Sequence, residues 1–136
     1  MSTGHHTILL VDDEAVPRRQ MGAVLRNAGY GIIESRDYGE AAAIFQRRSE
    51  EIDMLLVDVS LPGNNGYELA KMALARKPGV RVLLMSGPTG AEVCKFYGMP
   101  ATDVHFLEKP FRAVDLLARV KYLLESAEPF TGTASA

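Results

Sequence analysis

The sequence predicts an α/β protein, a single domain built as a doubly wound parallel sheet. Short and nearly continuous apolar runs recur along the 136 residues, and such runs are typical of strands covered on both faces. Segments with helical periodicity separate these runs. Because repeated strand–helix units need right-handed crossovers, they favour a parallel sheet with helices on both faces.

The predicted strands are the apolar runs, of which the third and fourth carry the strongest pattern. The last run ends at a proline, which cannot donate a hydrogen bond to a sheet. The five predicted strands are Thr7–Val11, Gly31–Ser35, Asp53–Val59, Val80–Ser86 and Val104–Pro110.

Helical patterns follow each strand. The second helix begins where Asp37 and Glu40 have the spacing of a capping box. In the last helix Val114, Leu117, Val120 and Leu124 are expected to face the core. The predicted helices are Ala15–Ala28, Gly39–Arg48, Asn65–Lys77, a short Ala91–Tyr97 and Phe111–Ser126.

Composition excludes several classes of function. The 15 basic and 17 acidic residues nearly balance at a formal charge of -2, so no basic field indicates nucleic-acid or membrane-surface binding. The single cysteine, Cys94, allows no internal disulfide and suits a reducing cytoplasm. We expect residues 1–6 to form a flexible leader and residues 126–136 a tail or linker. Neither a signal peptide nor a membrane span is expected.

Polar side chains collect where the predicted strands end. Asp12 and Asp13 follow the first strand, Asp58 ends the third, Ser86 ends the fourth, and Lys109 comes just before Pro110 in the fifth. Functional sites of open α/β sheets lie outside the carboxyl ends of the strands. Each of these residues alone reads as a turn, a cap or a solvated side chain, but their joint occurrence at one rim predicts a site.

Crowded carboxylates at this rim predict a hard cation. Like charges at close range raise one another's pKa unless a cation joins them, and oxygen donors favour Mg²⁺. A lysine and a hydroxyl beside the cation suit a phosphoryl group. A carboxylate can itself be the nucleophile and form an aspartyl phosphate.

These motifs resemble the receiver domains of two-component response regulators. The matching stretches are "ILLVDDE", "DMLLVDVSLPGNNGYEL", "VRVLLMSG" and "FLEKPF", and their separations match as well. The resemblance covers residues 7–125. It implies a flavodoxin-like (βα)5 fold with strand order 2-1-3-4-5.

The resemblance also implies a role for each residue of the rim. Asp58 corresponds to the phosphoacceptor, and Asp12 and Asp13 correspond to the acidic pair that holds Mg²⁺, with Asp13 the direct ligand. The other implied roles are the backbone carbonyl of Ser60 as a metal ligand, Ser86 and Lys109 as phosphate-binding groups, Phe106 as the switch aromatic, and Pro62, Gly66 and Pro110 as loop-shaping residues, with a cis Lys109–Pro110 bond.

The family's mechanism would make this chain a signalling module and not an enzyme. A sensor histidine kinase or a histidine phosphotransfer protein would donate the phosphoryl group to Asp58. The new charge would draw in Ser86 and Lys109 and switch the surface of the fourth helix, fifth strand and fifth helix. A downstream partner, a fused output domain or a second copy of the chain would then read this surface.

Three other functions compete with this reading. A haloacid-dehalogenase-type phosphatase would carry its nucleophile at the first strand with another Asp two residues later, whereas Asp12 is followed by Asp13 and Glu14. A docking module that never accepts phosphate would not need the full set of acids with Ser86 and Lys109. A flavodoxin-like cofactor carrier would have a Ser, Thr and Gly-rich phosphate loop after the first strand.

Overall fold

A five-stranded parallel sheet forms the centre of the fold in the computed structural model, which describes residues 5–96, 98–99 and 104–126. The strand order is β2-β1-β3-β4-β5, and every neighbouring pair is parallel. This confirms the predicted doubly wound, flavodoxin-like fold. The strands are β1 Thr7–Val11, β2 Gly31–Ser35, β3 Met54–Asp58, β4 Arg81–Ser86 and β5 Val104–Glu108.

Helices follow the strands in the predicted alternation. A 3₁₀ turn over Pro62–Asn64 leads into the third helix, and a π turn over Tyr122–Ser126 extends the fifth. Residue 97, where the fourth helix was predicted to end, lies outside the described residues. The helices are α1 Ala15–Asn27, α2 Tyr38–Arg48, α3 Asn65–Arg76, α4 Gly90–Phe96 and α5 Ala113–Lys121.

The sheet is buried on both faces, as its nearly continuous apolar strands require. In β1, Leu9 and Val11 join the core shared with α2, α3 and α4, while Ile8 and Leu10 join the core shared with α1 and α5. All four side chains are completely buried. Burying each aliphatic side chain contributes about 1.5–3 kcal/mol, so the strand that carries the acidic residues at its tip is firmly held.

The start of α2 confirms one half of the predicted capping box. Asp37 is the N-cap, and its Oδ1 accepts from the backbone N–H of Glu40 at 2.8 Å. The carboxylate of Glu40 accepts instead from the N–H of Arg36 at 3.0 Å and from the hydroxyl of Ser35 at 3.1 Å. The box is therefore wrong in its reciprocal half, because Glu40 bonds the turn that follows β2.

The buried face of α5 differs from the prediction at one position, Val114. Val114 is 57% exposed, whereas Leu116 and Val120 are buried. The π turn that follows adds Leu123 and Leu124 to the same core. The helix begins at Ala113 and not at Phe111. The predicted inward positions Val120 and Leu124 are confirmed, and Val114 is wrong.

The described ends of the chain lie at the sheet's amino edge. The carbonyl of His6 accepts from the N–H of Gly31 at 2.9 Å, so backbone pairing reaches into the predicted leader. Residues 1–4 of that leader and residues 127–136 of the predicted tail lie outside the described residues.

Candidate functional site

Asp58 ends the central strand β3 with a constrained carboxylate. Its side chain lies at the carboxyl edge of the sheet and the residue is 8% exposed. Oδ1 accepts two hydrogen bonds from Ser60, from the backbone N–H at 2.8 Å and from the hydroxyl at 2.7 Å. This local turn fixes one oxygen of Asp58 and leaves Oδ2 the less engaged of the two.

Lys109 brings a positive charge to the same carboxylate. It follows β5, and its Nζ lies 3.1 Å from Oδ1 and 3.3 Å from Oδ2 of Asp58. The backbone N–H of Lys109 donates to the carbonyl of Ser86 at 2.8 Å, which ties the two strand ends together. The Lys109–Pro110 bond is cis, which confirms that prediction.

Asp12 is the buried member of the acidic pair that follows β1. It is 3% exposed, and its Oδ1 accepts from the N–H of Glu14 at 3.0 Å. Burial raises the pKa of the Asp12 carboxyl, and the neighbouring charges of Asp58, Asp13 and Glu14 raise it further, while the Glu14 N–H partly opposes them. Asp13 is exposed, so the two acids face different surroundings.

The chemistry of these oxygens fits a hard cation that retains water ligands. Asp12 is buried against the charges of Asp58 and Asp13, and an added cation would relieve that repulsion. Within the described residues no three Asp, Glu, His or Cys side chains form a ready-made chelate. Mg²⁺ does not require one, because it is bound in proteins through one or two carboxylates and several waters.

Ser86 and Phe106 meet across a glycine at the start of α4. Ser86 is 2% exposed, and Phe106 is half-buried against the core. A Cβ placed on Gly90 would lie 2.2 Å from the Ser86 Oγ and 3.1 Å from the Phe106 Cδ1. The absence of a side chain at Gly90 therefore gives the hydroxyl its present position.

The loop that follows Asp58 combines a 3₁₀ turn with a close backbone approach. Pro62 opens the 3₁₀ turn, and Gly63 within it has a φ of 75°. At Gly66 a Cβ would lie 2.6 Å from the Cα of Val59 and 2.7 Å from the carbonyl oxygen of Asp58. Because those are backbone atoms, only glycine lets α3 approach the strand end so closely.

A cleft of about 330 Å³ opens beside the carboxylates, between α1 and the start of α5. Asp12, Asp58 and Lys109 lie at its polar end. The rest of its lining is mostly apolar. Its apolar residues include Pro17, Met21 and Val24 on the α1 side and Phe111, Ala113 and Leu116 on the α5 side.

Sequence reasoning did not identify two contacts of this site. The hydroxyl of Ser60 donates to Asp58, a bond that the sequence pattern does not predict. The side chain of Arg18 donates to the backbone carbonyl of Asp12 at 2.8 Å. An Arg on a helix gives no sign of its partner in the sequence, because the partner depends on how the helix packs.

The fold and the site define a response regulator receiver domain. A sequence profile described as "Response regulator receiver domain" matches residues 8–121. The chain therefore belongs to this family, whose members are signalling modules of two-component systems and generally not catalysts.

Curated relatives place this domain within longer regulators. The chain is 34% identical over 124 residues to the phosphate regulon transcriptional regulatory protein PhoB of Pseudomonas aeruginosa, covering 90% of this chain and 53% of PhoB. It is 32% identical to the aerobic respiration control protein ArcA of Escherichia coli, covering 91% of this chain and 50% of ArcA. The chain thus spans about half the length of these relatives.

Solved structures agree with the family. A CheY-like receiver domain protein from Methanospirillum hungatei superposes with a TM-score of 0.80 at 26% identity, covering 92% of this chain and 98% of that one. The receiver domain of the hybrid histidine kinase CckA gives 0.71 at 34% identity, covering 88% and 99%. Among the described residues, no helix is long and apolar enough to cross a membrane.

Proposed function

We propose that this domain accepts a phosphoryl group on Asp58 and switches a partner surface in response. One observation carries the proposal. The buried carboxylate at the end of the central strand lies 3.1 Å from a lysine ammonium, and its charge helps to raise the pKa of a second buried carboxylate, Asp12. A nucleophile, a fixed positive charge and oxygen ligands for a cation are what phosphoryl transfer requires.

The donor in this proposal is a phosphohistidine on a sensor kinase or a histidine phosphotransfer protein. The Oδ2 of Asp58 attacks the phosphorus, the P–N bond breaks, and its electron pair returns to the donor imidazole. The cleft between α1 and α5 gives such a side chain a path to Asp58. Water later cleaves the aspartyl phosphate and regenerates the carboxylate.

Mg²⁺ is the proposed cofactor and would neutralise the phosphoryl oxygens. Asp12, Asp13, Asp58 and the backbone carbonyl of Ser60 would hold it. The ammonium of Lys109 already contacts both oxygens of Asp58. Lys109 would move to the phosphoryl oxygens once one oxygen of Asp58 is phosphorylated, because the negative charge would then lie on the phosphoryl group.

The response would pass through Ser86 and Phe106. A hydroxyl that donates to the phosphoryl group has to leave its place against Gly90, which opens space beside Phe106. Phe106 lies on β5, and the guanidinium of Arg119 on α5 donates to its carbonyl. Movement here would therefore reach the surface of α4, β5 and α5.

The partner that reads this surface is either an output domain on a longer chain or another protein. PhoB and ArcA are named as regulatory and control proteins of about twice this length. Phe96 on α4 is 88% exposed and Tyr122 after α5 is 62% exposed, which would suit docking or a homodimer. The buried free thiol of Cys94 suits the cytoplasm as the site of action.

Intact-mass spectrometry tests the proposal. The chain is incubated with acetyl phosphate or phosphoramidate, with Mg²⁺ or with EDTA. We expect one phosphoryl group that requires Mg²⁺ and is absent in Asp58→Asn. Asp53→Asn, just before the opposite end of the same strand, is the matched control and should accept phosphate normally. No adduct from either donor would contradict the proposal and favour the docking module.

A further inference from the structure

We propose that Arg18, held by Glu34, positions the acidic loop that follows β1 for binding of its cation. This pair is called the Arg18–Glu34 brace. The inference rests on the proposed function, because it gives that reaction a positioning residue. It concerns a residue that touches neither the cation nor the phosphoryl group.

The brace joins three elements through one guanidinium. Arg18 lies on α1, and its Nε donates to Oε1 of Glu34 on β2 at 3.1 Å. Its Nη1 donates to the backbone carbonyl of Asp12 at 2.8 Å. The two side chains are 13% and 22% exposed, so solvent screens them only in part.

The bonds of the brace complete the restraint of Asp12. The backbone N–H of Asp12 donates to the carbonyl of Ser35 at 3.1 Å, and Oδ1 accepts from Glu14 at 3.0 Å. With Arg18 on the carbonyl, the N–H, the C=O and one carboxylate oxygen are all fixed. The oxygen that these bonds leave for a cation is Oδ2.

The geometry requires the planar fork of arginine. Two N–H groups of one guanidinium donate to Glu34 on β2 and to the carbonyl of Asp12 after β1. A lysine ammonium is a compact point charge without a rigid fork. Gly22, one turn further along α1, gives Glu34 room to lie against the helix. A Cβ at Gly22 would stand 3.0 Å from Oε2 of Glu34.

Arg26 provides a matched control on the same helix. Its Nη2 pairs with Oε2 of Glu34 at 3.1 Å, and its side chain is 50% exposed. The hydrogen bonds of Asp12 described above do not include Arg26. Substitution of Arg26 therefore removes one positive charge and one Glu34 contact without releasing the carbonyl of Asp12.

Charge and geometry predict opposite effects for the loss of Arg18. Removing the positive charge of Arg18 makes the potential at the acidic site more negative. This effect alone would tighten Mg²⁺ binding. Releasing the carbonyl of Asp12 loosens the loop, which weakens Mg²⁺ binding. Losing a group that orients a metal ligand typically costs about 10–100-fold in affinity.

The test compares Arg18→Ala, Arg18→Lys and Arg26→Ala with wild type. Mg²⁺ affinity is measured by amide NMR titration. Hydrogen exchange of the Glu14 N–H is measured separately in EDTA. We expect Arg18→Ala to bind Mg²⁺ about 10-fold more weakly and to exchange the Glu14 amide faster, with Arg18→Lys impaired in the same direction. Arg26→Ala should match wild type in both.

Each outcome decides a separate point. Wild-type or tighter Mg²⁺ affinity in Arg18→Ala, or equal losses in Arg26→Ala, would overturn the brace. If Arg18→Ala does not fold, Arg18→Lys carries the comparison, and wild-type Mg²⁺ affinity of that variant overturns the inference. If wild type binds no Mg²⁺, the proposed function fails, while exchange of the Glu14 amide still decides whether Arg18 restrains the loop.

Discussion

Asp12 is the carboxylate whose ionised form the fold opposes. It is 3% exposed, and burial together with the charges of Asp58, Asp13 and Glu14 raises its pKa above 3.8. The folded state therefore binds this proton more tightly than the unfolded state does. In the absence of a bound cation, protonated Asp12 therefore favours the folded state at low pH. This contribution is lost as pH rises from 3.8 through the raised pKa of Asp12, and above that pKa the ionised carboxylate destabilises the fold.

Asp12→Asn should therefore stabilise the metal-free protein at neutral pH. Asn keeps the acceptor for the Glu14 N–H, which is 3.0 Å away, and removes the charge. The gain over wild type should shrink as pH falls toward 3.8. Urea unfolding in EDTA between neutral and acid pH measures it, and Mg²⁺ should reduce the difference. Equal stability of both proteins at neutral pH would contradict this account.

Single residues of the site were predictable to different degrees. Asp58 and Lys109 were expected together because both lie at the carboxyl ends of parallel strands, and the Lys109 Nζ is 3.1 Å from Oδ1 of Asp58. The sequence did not predict the hydrogen bond from the Ser60 hydroxyl to Asp58, because it depends on a side-chain rotamer. It also did not predict the bond from Arg18 to Asp12, because that bond depends on helix packing. Sequence shows which residues reach the rim but not which donor each oxygen accepts.

At the scale of elements, the loop between β3 and α3 depends on close approach at Gly66. A Cβ there would stand 2.6 Å from the Cα of Val59 and 2.7 Å from the Asp58 oxygen. Gly66→Ala should lower the free energy of unfolding by about 1–3 kcal/mol and displace Asp58. Gly79→Ala is the control, because nothing lies within 4 Å of its Cβ. Denaturant unfolding measures the loss of stability, and the phosphorylation rate reports the displacement of Asp58. Equal stability of Gly66→Ala and Gly79→Ala would contradict the prediction.

The face of α5 was predicted correctly at Val120 and Leu124 and wrongly at Val114. Phe111 lies before the helix, and the stripe that packs on the sheet contains Leu116 in place of Val114. Leu117 is half-buried, in partial agreement with the prediction. Amphipathic periodicity gives the existence of a helix more securely than its phase.

Two substitutions in α5 test this corrected face. Leu116→Ala should cost about 2–5 kcal/mol of unfolding free energy, because a fully packed side chain leaves a cavity. Val114→Ala should change stability by less than about 0.5 kcal/mol, because Val114 is 57% exposed. Thermal or urea unfolding gives both values. A larger loss at Val114 than at Leu116 would restore the predicted face.

At the scale of the whole molecule, the two edges of the sheet carry different groups. The carboxyl edge carries Asp12, Asp58 and Lys109, while the amino edge holds the turn after α5. There the hydroxyl of Tyr30 donates to Glu125 at 2.5 Å, and Arg81 donates to the carbonyl of Leu123 at 2.9 Å. Burial, and then the Glu125 carboxylate, raise the pKa of Tyr30.

Tyr30→Phe should loosen this turn without affecting the chemistry. It removes the bond to Glu125, so we expect a loss of about 1 kcal/mol and faster hydrogen exchange over residues 122–126. Phosphorylation of Asp58 should stay at the wild-type rate, because the two edges are separated by the length of the strands. Glu125→Gln keeps an acceptor for the Tyr30 hydroxyl and should lose less unfolding free energy than Tyr30→Phe. A reduced phosphorylation rate in Tyr30→Phe would show that the edges are coupled.

Trapping the acyl phosphate tests the central claim most directly. The chain is phosphorylated with Mg²⁺ and reduced with borohydride, which converts a carboxyl phosphate into the corresponding alcohol. Peptide sequencing by mass spectrometry then locates the reduced side chain. The account predicts reduction at position 58, dependent on Mg²⁺ and lost in Asp58→Asn. Reduction at Asp12 or Asp13, or none in a chain that has gained phosphate, would contradict it.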